Sequence, residues 1–389
     1  KRPMMASAST SLSRLKTTKP HFLDSKLTRS LYSDLAGSGE HLSSLSDETF
    51  LKNLLVVEAA LAVAAAPEHA AMAKATIDSY QLDVEELSRR AAEGGNPLIP
   101  LVTDLKAINP AGIHIGATSQ DIIDSALMLC MKEGVGEVVD KLKKLARDLA
   151  ELTAEHKATP IMGRTLGQIA TPTTFGALTG GWLVAVDNAA RALEALEFPV
   201  SYGGASGNMT AVHPRGFEIQ AKLAEELGLF DPQWVWHSDR TPITAIASAL
   251  ATAAGVVRKI AGDVVFYSQT EVGELREKSP GGSSAMPHKA NPAAAIACDG
   301  YARRAPGLLA TLFDALDCRL QRGTGSWHAE WATLRELAAV THSAVSRAAT
   351  SIDGITVNVD VMASRVNGPT GHAEDLAERA LEIYGKGRS

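Results

Sequence analysis

Two stretches of this chain are too long and too regularly patterned to be anything but helical rods. From Gln120 through Val135 to His156, and from Thr241-Pro242 to about Glu274, apolar residues recur at the three-to-four-residue spacing of an amphipathic helix. At ~1.5 Å per residue the second rod would span roughly 50 Å, beyond the usual length of a globular helix. A break is expected in the first rod at Glu133-Gly134. Shorter helices are expected over Phe50 to Ala66 (apolar on every face, hence buried), about Pro172 to Leu196, and Glu330 to Ile352, with one more opening after Pro292. Aromatic residues make up only 5% of the 389, against 45% hydrophobic, so the apolar surface is mostly Ala, Leu and Val. That composition suits closely packed helices rather than a sheet sandwich. Ala-rich helices of this length commonly bury faces against other subunits. The expected fold is therefore all-α, elongated and oligomeric, with no Gly-rich nucleotide fingerprint.

Charge and cysteine usage exclude several function classes. A net charge of −6 provides no basic field for nucleic acid or a membrane surface. The three cysteines, Cys130, Cys298 and Cys318, form neither a disulfide framework nor a metal-ligand pattern, which points to a reducing, cytoplasmic setting. The eleven histidines include no His-x-x-x-His pair, so no metal is expected. The most apolar stretch, Ile243 to Phe266, is interrupted by Arg258, Lys259 and Asp263, so no membrane span is expected. Residues 1–21, rich in Ser, Thr and Lys, are expected to be a disordered extension.

Polar islands interrupt the helices. The densest is Gly282-Ser283-Ser284-Ala285-Met286-Pro287-His288-Lys289-Ala290-Asn291-Pro292. Asn291-Pro292 reads as an N-cap followed by Pro at the first helical position, and a helix N-terminus beside Lys289 can hold an anion. Composition alone leaves a mobile catalytic lid and a plain Ser/Gly linker equally open. A second island is His114-Ile115-Gly116-Ala117-Thr118-Ser119-Gln120-Asp121. Thr118 with Asp121 makes a capping box, but a cap does not require His114, Ser119 and Gln120 as well, so anion binding is expected. The third, Gly163-Arg164-Thr165-Leu166-Gly167-Gln168, is a loop before a helix start. The fourth runs from Arg322 through Gly325 into Trp327-His328-Ala329-Glu330-Trp331, where Arg322 can clamp a carboxylate in bidentate fashion. Trp236-His237-Ser238-Asp239-Arg240 supplies a further cation.

Together these islands resemble the fumarase/aspartase superfamily, and within it the bacterial 3-carboxy-cis,cis-muconate cycloisomerase branch. The resemblance is carried by Asn96-Pro97-Leu98-Ile99-Pro100-Leu101-Val102, His114 to Asp121, Gln269-Thr270-Glu271-Val272-Gly273-Glu274, Met286-Pro287-His288-Lys289 and Trp327 to Trp331, and spans about residues 22–365. It implies a small N-terminal helical domain (22–112), a central long-helix bundle (113–354) and a remnant of a C-terminal helical domain (355–389). It also implies a homotetramer in which His114 to Asp121, Gly163 to Gln168 and the lid of three different chains meet at each active site. The implied substrate is a small di- or tricarboxylate, with no cofactor. By resemblance Ser283 transfers the proton, assisted by Lys289 and Asn291. The implied substrate contacts are His114, Thr118, Ser119, Gln120, Arg164, Thr165, Gln168, His237, Arg240, Ser284, Met286 and Arg322.

One departure bears on the chemistry. Fumarate-releasing members read Gly-Arg-Thr-His in the third island, and that His is thought to protonate the leaving group; here the position is Leu166. Closing a lactone adds a carboxylate across a C=C bond, and in reverse a carboxylate of pKa about 4 leaves without an acid. The resemblance therefore implies lactone formation. A fumarate-releasing lyase such as adenylosuccinate lyase, or a non-catalytic scaffold that kept the fold, are the alternatives.

Overall fold

The computed structural model describes Leu35 and residues 43–386; the expected extension at residues 1–21 lies outside them. In chain order the helices are α1 (Asp47–Ala65), α2 (Ala70–Ser79), α3 (Val84–Gly94), α4 (Leu98–Ile108) and α5 (Ser119–Glu155). A hairpin, β1 (Pro160–Thr165) and β2 (Gln168–Thr174), leads into α6 (Phe175–Glu194), α7 (Gly216–Leu227) and α8 (Thr241–Tyr267). Strand β3 (Leu275–Arg276) precedes α9 (Ala293–Ala302), α10 (Ala305–Asp314) and α11 (Ser326–Ile352). Strand β4 (Thr356–Val357), paired with β3, is followed by α12 (Val359–Ser364) and α13 (Ala373–Lys386). Apart from these two small sheets the fold is all-α.

The rod α5 is 37 residues long, roughly 55 Å, and starts at the expected capping box, where the Thr118 N–H donates to Asp121 Oδ2 at 2.8 Å. The expected break at Glu133-Gly134 does not occur. Gly134 stays helical because the 3-10 turn Ser43–Leu45 lies against it: a Cβ there would sit 3.0 Å from Leu45 Cδ2. The helix expected from Pro172 starts only at Phe175, since residues up to Thr174 pair in the hairpin and the Thr174 hydroxyl accepts from Ala177 N–H at 3.1 Å. Leu166 and Gly167 form its turn with φ of 51° and 80°, the double positive φ of a type I′ hairpin. Helix α8 stops at Tyr267 rather than Glu274, giving a rod of roughly 40 Å.

Long-range hydrogen bonds give the rods their polarity. Gln120 Nε2 donates to the His237 carbonyl at 2.8 Å, Trp327 Nε1 to Asp124 Oδ1 at 2.8 Å, and Arg240 bridges Asp124 and Glu330. The N-termini of α5, α8 and α11 therefore share one end of the bundle, the near end below. The hairpin, the lid and the β3–β4 pair follow the C-termini of these rods, at the far end. Leu127, Leu142, Leu183, Leu250, Val257, Leu337 and Val345 are almost completely buried between the rods, each burial worth roughly 1.5–3 kcal/mol.

By length and composition α8 is apolar enough to cross a membrane, but half of its most apolar window is buried against α6, α9, α10 and α11. Its exposed residues are small except for Lys259, which pairs with Asp263. Ala245, Thr252, Gly255 and Gly262 are exposed, and a Cβ at Gly255 or Gly262 would meet nothing.

Candidate active site

At the near end Asp121 is the organising group. Completely buried, it accepts from Thr118 N–H, from Gly203 and Gly204 N–H at 2.8 and 3.0 Å, and from His237 Nε2 at 2.6 Å. It thereby ties the His114–Ser119 segment to the loop at residues 203–205. Arg322 reaches the same place, donating from Nη2 to Thr118 Oγ1 at 2.6 Å and to the Ala205 carbonyl at 3.2 Å. Thr118 and Ser119 are partly exposed, as is His114, whose φ is 59°. This end therefore presents a hydroxyl pair, an imidazole and a guanidinium to solvent.

Three residues expected here as substrate contacts have structural partners instead. Gln120 is wholly buried, its NH2 donating to the His237 carbonyl and to Asp124 Oδ2 at 3.2 Å, while Oε1 has no partner among the described residues. His237 is 2% exposed and serves Asp121. Arg240 donates to Glu330 from Nε at 2.9 Å, to Asp124 from Nη1 at 2.9 Å, and lies 4.7 Å over the Trp236 ring. Burial opposes its charge, but the two carboxylates outweigh burial and raise its pKa. Burial also pushes the Glu330 carboxyl up, with Arg240 opposing and Asp124 adding to the shift. A guanidinium so enclosed has no donor facing solvent.

At the far end Arg164 likewise departs from expectation. Its fork is engaged bidentately by Glu274, at 2.9 and 2.8 Å, and it packs over the Tyr267 and Phe266 rings. Glu274 is completely buried and also accepts from Arg365 at 2.6 Å, so the Arg164 charge positions the hairpin on the helix end. Thr165 and Gln168 face each other across the hairpin and are exposed, and Leu166 at its tip is fully exposed.

The lid closes on an antiparallel bridge, Gly281 N–H to the Asn291 carbonyl at 2.8 Å and Asn291 N–H to the Gly281 carbonyl at 2.9 Å. Between these, Ser283 Oγ accepts from Met286 N–H at 3.1 Å and Ala285 N–H at 3.3 Å. Two N–H dipoles converging on one hydroxyl oxygen stabilise negative charge there, as an oxyanion hole does. Ser284, Met286 and Lys289 are exposed; the last two, with Asn291, line a groove of about 1060 Å³ shared with Gln269, Glu271 and Asp360. Asn291 does not cap α9: its amide donates to the Gly282 carbonyl at 3.0 Å, bracing the loop. The first free N–H groups of α9, Ala294 and Ala295, donate to the Glu277 carboxylate at 3.1 and 2.9 Å. The anion position at that helix start is thus filled by the chain itself.

A chain with rods of 40 Å or more between its polar islands cannot close one site from all of them. The near end carries His114, Thr118, Ser119 and Arg322; the far end carries Leu166, Gln168, Ser283, Lys289 and Asn291. Sequence reasoning gives no role to Glu58, Asp124, Glu274 or Glu277; the visible signals are Glu58, alone among apolar residues from Leu54 to Ala66, and Glu274, which closes the Gln269-to-Glu274 motif. Among the described residues no three His, Cys, Asp or Glu side chains form a metal-binding group.

A family model described as lyase matches residues 41–307. A Pseudomonas putida protein named 3-carboxy-cis,cis-muconate cycloisomerase is 38% identical over 332 residues, covering 80% of this chain and 79% of that one. A Streptomyces davaonensis protein named nitrosuccinate lyase is 35% identical over 375 residues, covering 89% and 79%. The crystal structure of 3-carboxy-cis,cis-muconate lactonizing enzyme from Pseudomonas putida superposes with a TM-score of 0.78 at 32% identity, covering 88% of this chain and 85% of that one.

Proposed function

From the premise that this chain is a lyase of the fumarase/aspartase superfamily, we propose that it is a 3-carboxy-cis,cis-muconate cycloisomerase acting in the protocatechuate branch of aromatic-acid catabolism. One substrate carboxylate adds across a C=C bond, the ring closes to 4-carboxymuconolactone, and a proton is delivered to the carbon beside another carboxylate. Leu166 carries the reading. It stands at the hairpin tip where fumarate-releasing members place the His that protonates the leaving group, and an alkyl side chain transfers no proton. A carboxylate leaving group needs none.

Ser283 delivers the proton in cyclisation and recovers it in reverse. As its hydroxyl gives up the proton, the Ala285 and Met286 N–H groups and the Lys289 charge hold the resulting oxyanion. Thr118, Ser119, His114 and Arg322 bind substrate carboxylates, with Thr165, Gln168, Ser284 and Met286 completing the wall, and lid closure excludes water.

The site is assembled in a cytoplasmic homotetramer. Two observations support this: the near-end and far-end groups lie roughly 40 Å apart in one chain, and α8 leaves a small-residue face uncovered. Antiparallel packing of α8 rods sets the far end of one chain against the near end of another. The central unit is residues 113–354, between the small N-terminal domain at 22–112 and a C-terminal segment at 355–389.

The test offers both substrates to the purified protein. Conversion of 3-carboxy-cis,cis-muconate to lactone, with no fumarate from adenylosuccinate, is expected; fumarate release from adenylosuccinate overturns the reading. Leu166 also admits elimination of an anion that departs unprotonated, such as nitrite from nitrosuccinate, and the Streptomyces davaonensis relative favours that second reading.

A further inference from the structure

Glu58 lies in the middle of α1, with none of its surface exposed, between apolar turns that include Leu54, Val57, Leu61 and Ala62. A carboxylate in such a place is costly unless its oxygens are engaged. Both are engaged by one residue: Glu58 Oε2 accepts the His114 backbone N–H at 2.9 Å, and Oε1 meets His114 Nδ1 at 2.7 Å. His114 has a φ of 59°, a left-handed backbone that a residue with a Cβ occupies only at an energetic cost. Something must hold it there, and the backbone half of the Glu58 contact does so.

The side-chain half fixes the chemistry of the ring. Glu58 accepts from Nδ1–H, so the tautomer and the ring plane are set by a group that solvent cannot reach. Nε2 has no partner among the described residues, and the side chain keeps 16% of its surface exposed, four positions before Thr118, which holds Arg322. Glu58 hydrogen-bonds to neither Thr118 nor Arg322. It belongs to the N-terminal helices, 56 positions from His114, and its buried place leaves it no other visible task.

We propose that Glu58 is a positioning residue. It locks His114 in a strained backbone conformation and a single ring orientation, so that Nε2 is aimed at a carboxylate of the bound acid. The proposal rests on the reading of residues 114–119 as a substrate segment. It makes α1 a functional part of the site and separates a binding role from the proton-transfer role of Ser283. An imidazole preorganised in this way binds ground state and transition state alike, so its loss raises KM more than it lowers kcat.

The experiment is a double-mutant cycle on turnover of 3-carboxy-cis,cis-muconate, with circular dichroism as the folding control. In Glu58→Gln the carboxamide must turn its NH2 toward one of the two His114 donors. KM is expected to rise about 10- to 100-fold with kcat within about threefold. His114→Asn, whose side chain tolerates the left-handed backbone, is expected to raise KM similarly. Adding Glu58→Gln to His114→Asn should change KM by less than about twofold. Glu58→Asp, which keeps the charge one methylene short, is the second variant should Glu58→Gln not fold; its smaller rise must likewise vanish in the His114→Asn background. Effects that multiply across the cycle, or a Glu58 variant with wild-type KM, overturn the proposal alone. A wild type that does not turn over the acid overturns the cycloisomerase reading and the proposal with it.

Discussion

Replacing Arg240 by Met separates a structural cation from a substrate clamp. The side chain is 1% exposed and donates to Glu330 from Nε at 2.9 Å, to Asp124 from Nη1 at 2.9 Å, and to the Trp236 carbonyl at 3.3 Å. Met fills much of the same volume without charge, so the main effect is electrostatic. Two buried carboxylates lose the cation between them, and breaking a buried pair in this way costs about 3–5 kcal/mol. At about 1.4 kcal/mol per decade, the unfolded fraction rises about a hundred- to several-thousand-fold. The individual hydrogen bonds must not be summed, because they share one charge and one desolvation cost. The assay is urea denaturation at fixed protein concentration, followed by the fluorescence of Trp236 and Trp327, both of which touch the network. Adding Asp124→Asn and Glu330→Gln to Arg240→Met should recover most of the loss, because no buried charge then remains. An Arg240→Met protein with a wild-type denaturation midpoint but a KM raised tenfold or more refutes the reasoning and restores Arg240 to the substrate.

Arg322→Ala should do the opposite, raising KM about 10- to 100-fold with little change in the urea midpoint, since its contacts are Thr118 Oγ1 and one loop carbonyl. Ser283→Ala should abolish turnover while circular dichroism and oligomeric state stay unchanged; near-normal activity contradicts its acid/base role. Gly255→Leu should dissociate the proposed tetramer on size-exclusion chromatography without unfolding the chain, because in one chain a Cβ there meets nothing; an intact tetramer contradicts the packing of α8 faces. Burial pushes the thiol of Cys130 up to about 11 and that of Cys298 to about 12. These two thiols should therefore resist a thiolate-selective reagent at pH 8 until the protein is unfolded, and rapid labelling of either contradicts their burial.

The sequence made the rods legible because their periodicity is strong, and made the near-end island legible because a capping box closes it and opens α5. It hid what depends on residues far apart in the chain. Arg240 looked available because Asp124 and Glu330 lie 116 and 90 positions away, and Arg164 because Glu274 lies 110 positions away. Gly134 was misread as a break: its helix-breaking tendency is offset by the close approach of Leu45, which local composition does not report. The hairpin before α6 escaped notice because Thr171-Pro172-Thr173 has the composition of a helix start. Asn291-Pro292 misled for a related reason. The motif fits an N-cap, yet Glu277, fourteen positions earlier, reaches the free N–H groups first. For Arg240 and Arg164 the local chemistry is as the sequence suggests, and a distant carboxylate takes the cation.

The central proposal is that this chain, with Leu166 unable to protonate a leaving group, closes a lactone. Following 3-carboxy-cis,cis-muconate with the purified protein by proton NMR tests this most directly. The account predicts loss of the diene signals and growth of those of 4-carboxymuconolactone, with none of this in Ser283→Ala. A wild type that leaves the diene intact but liberates fumarate from a substituted succinate contradicts it.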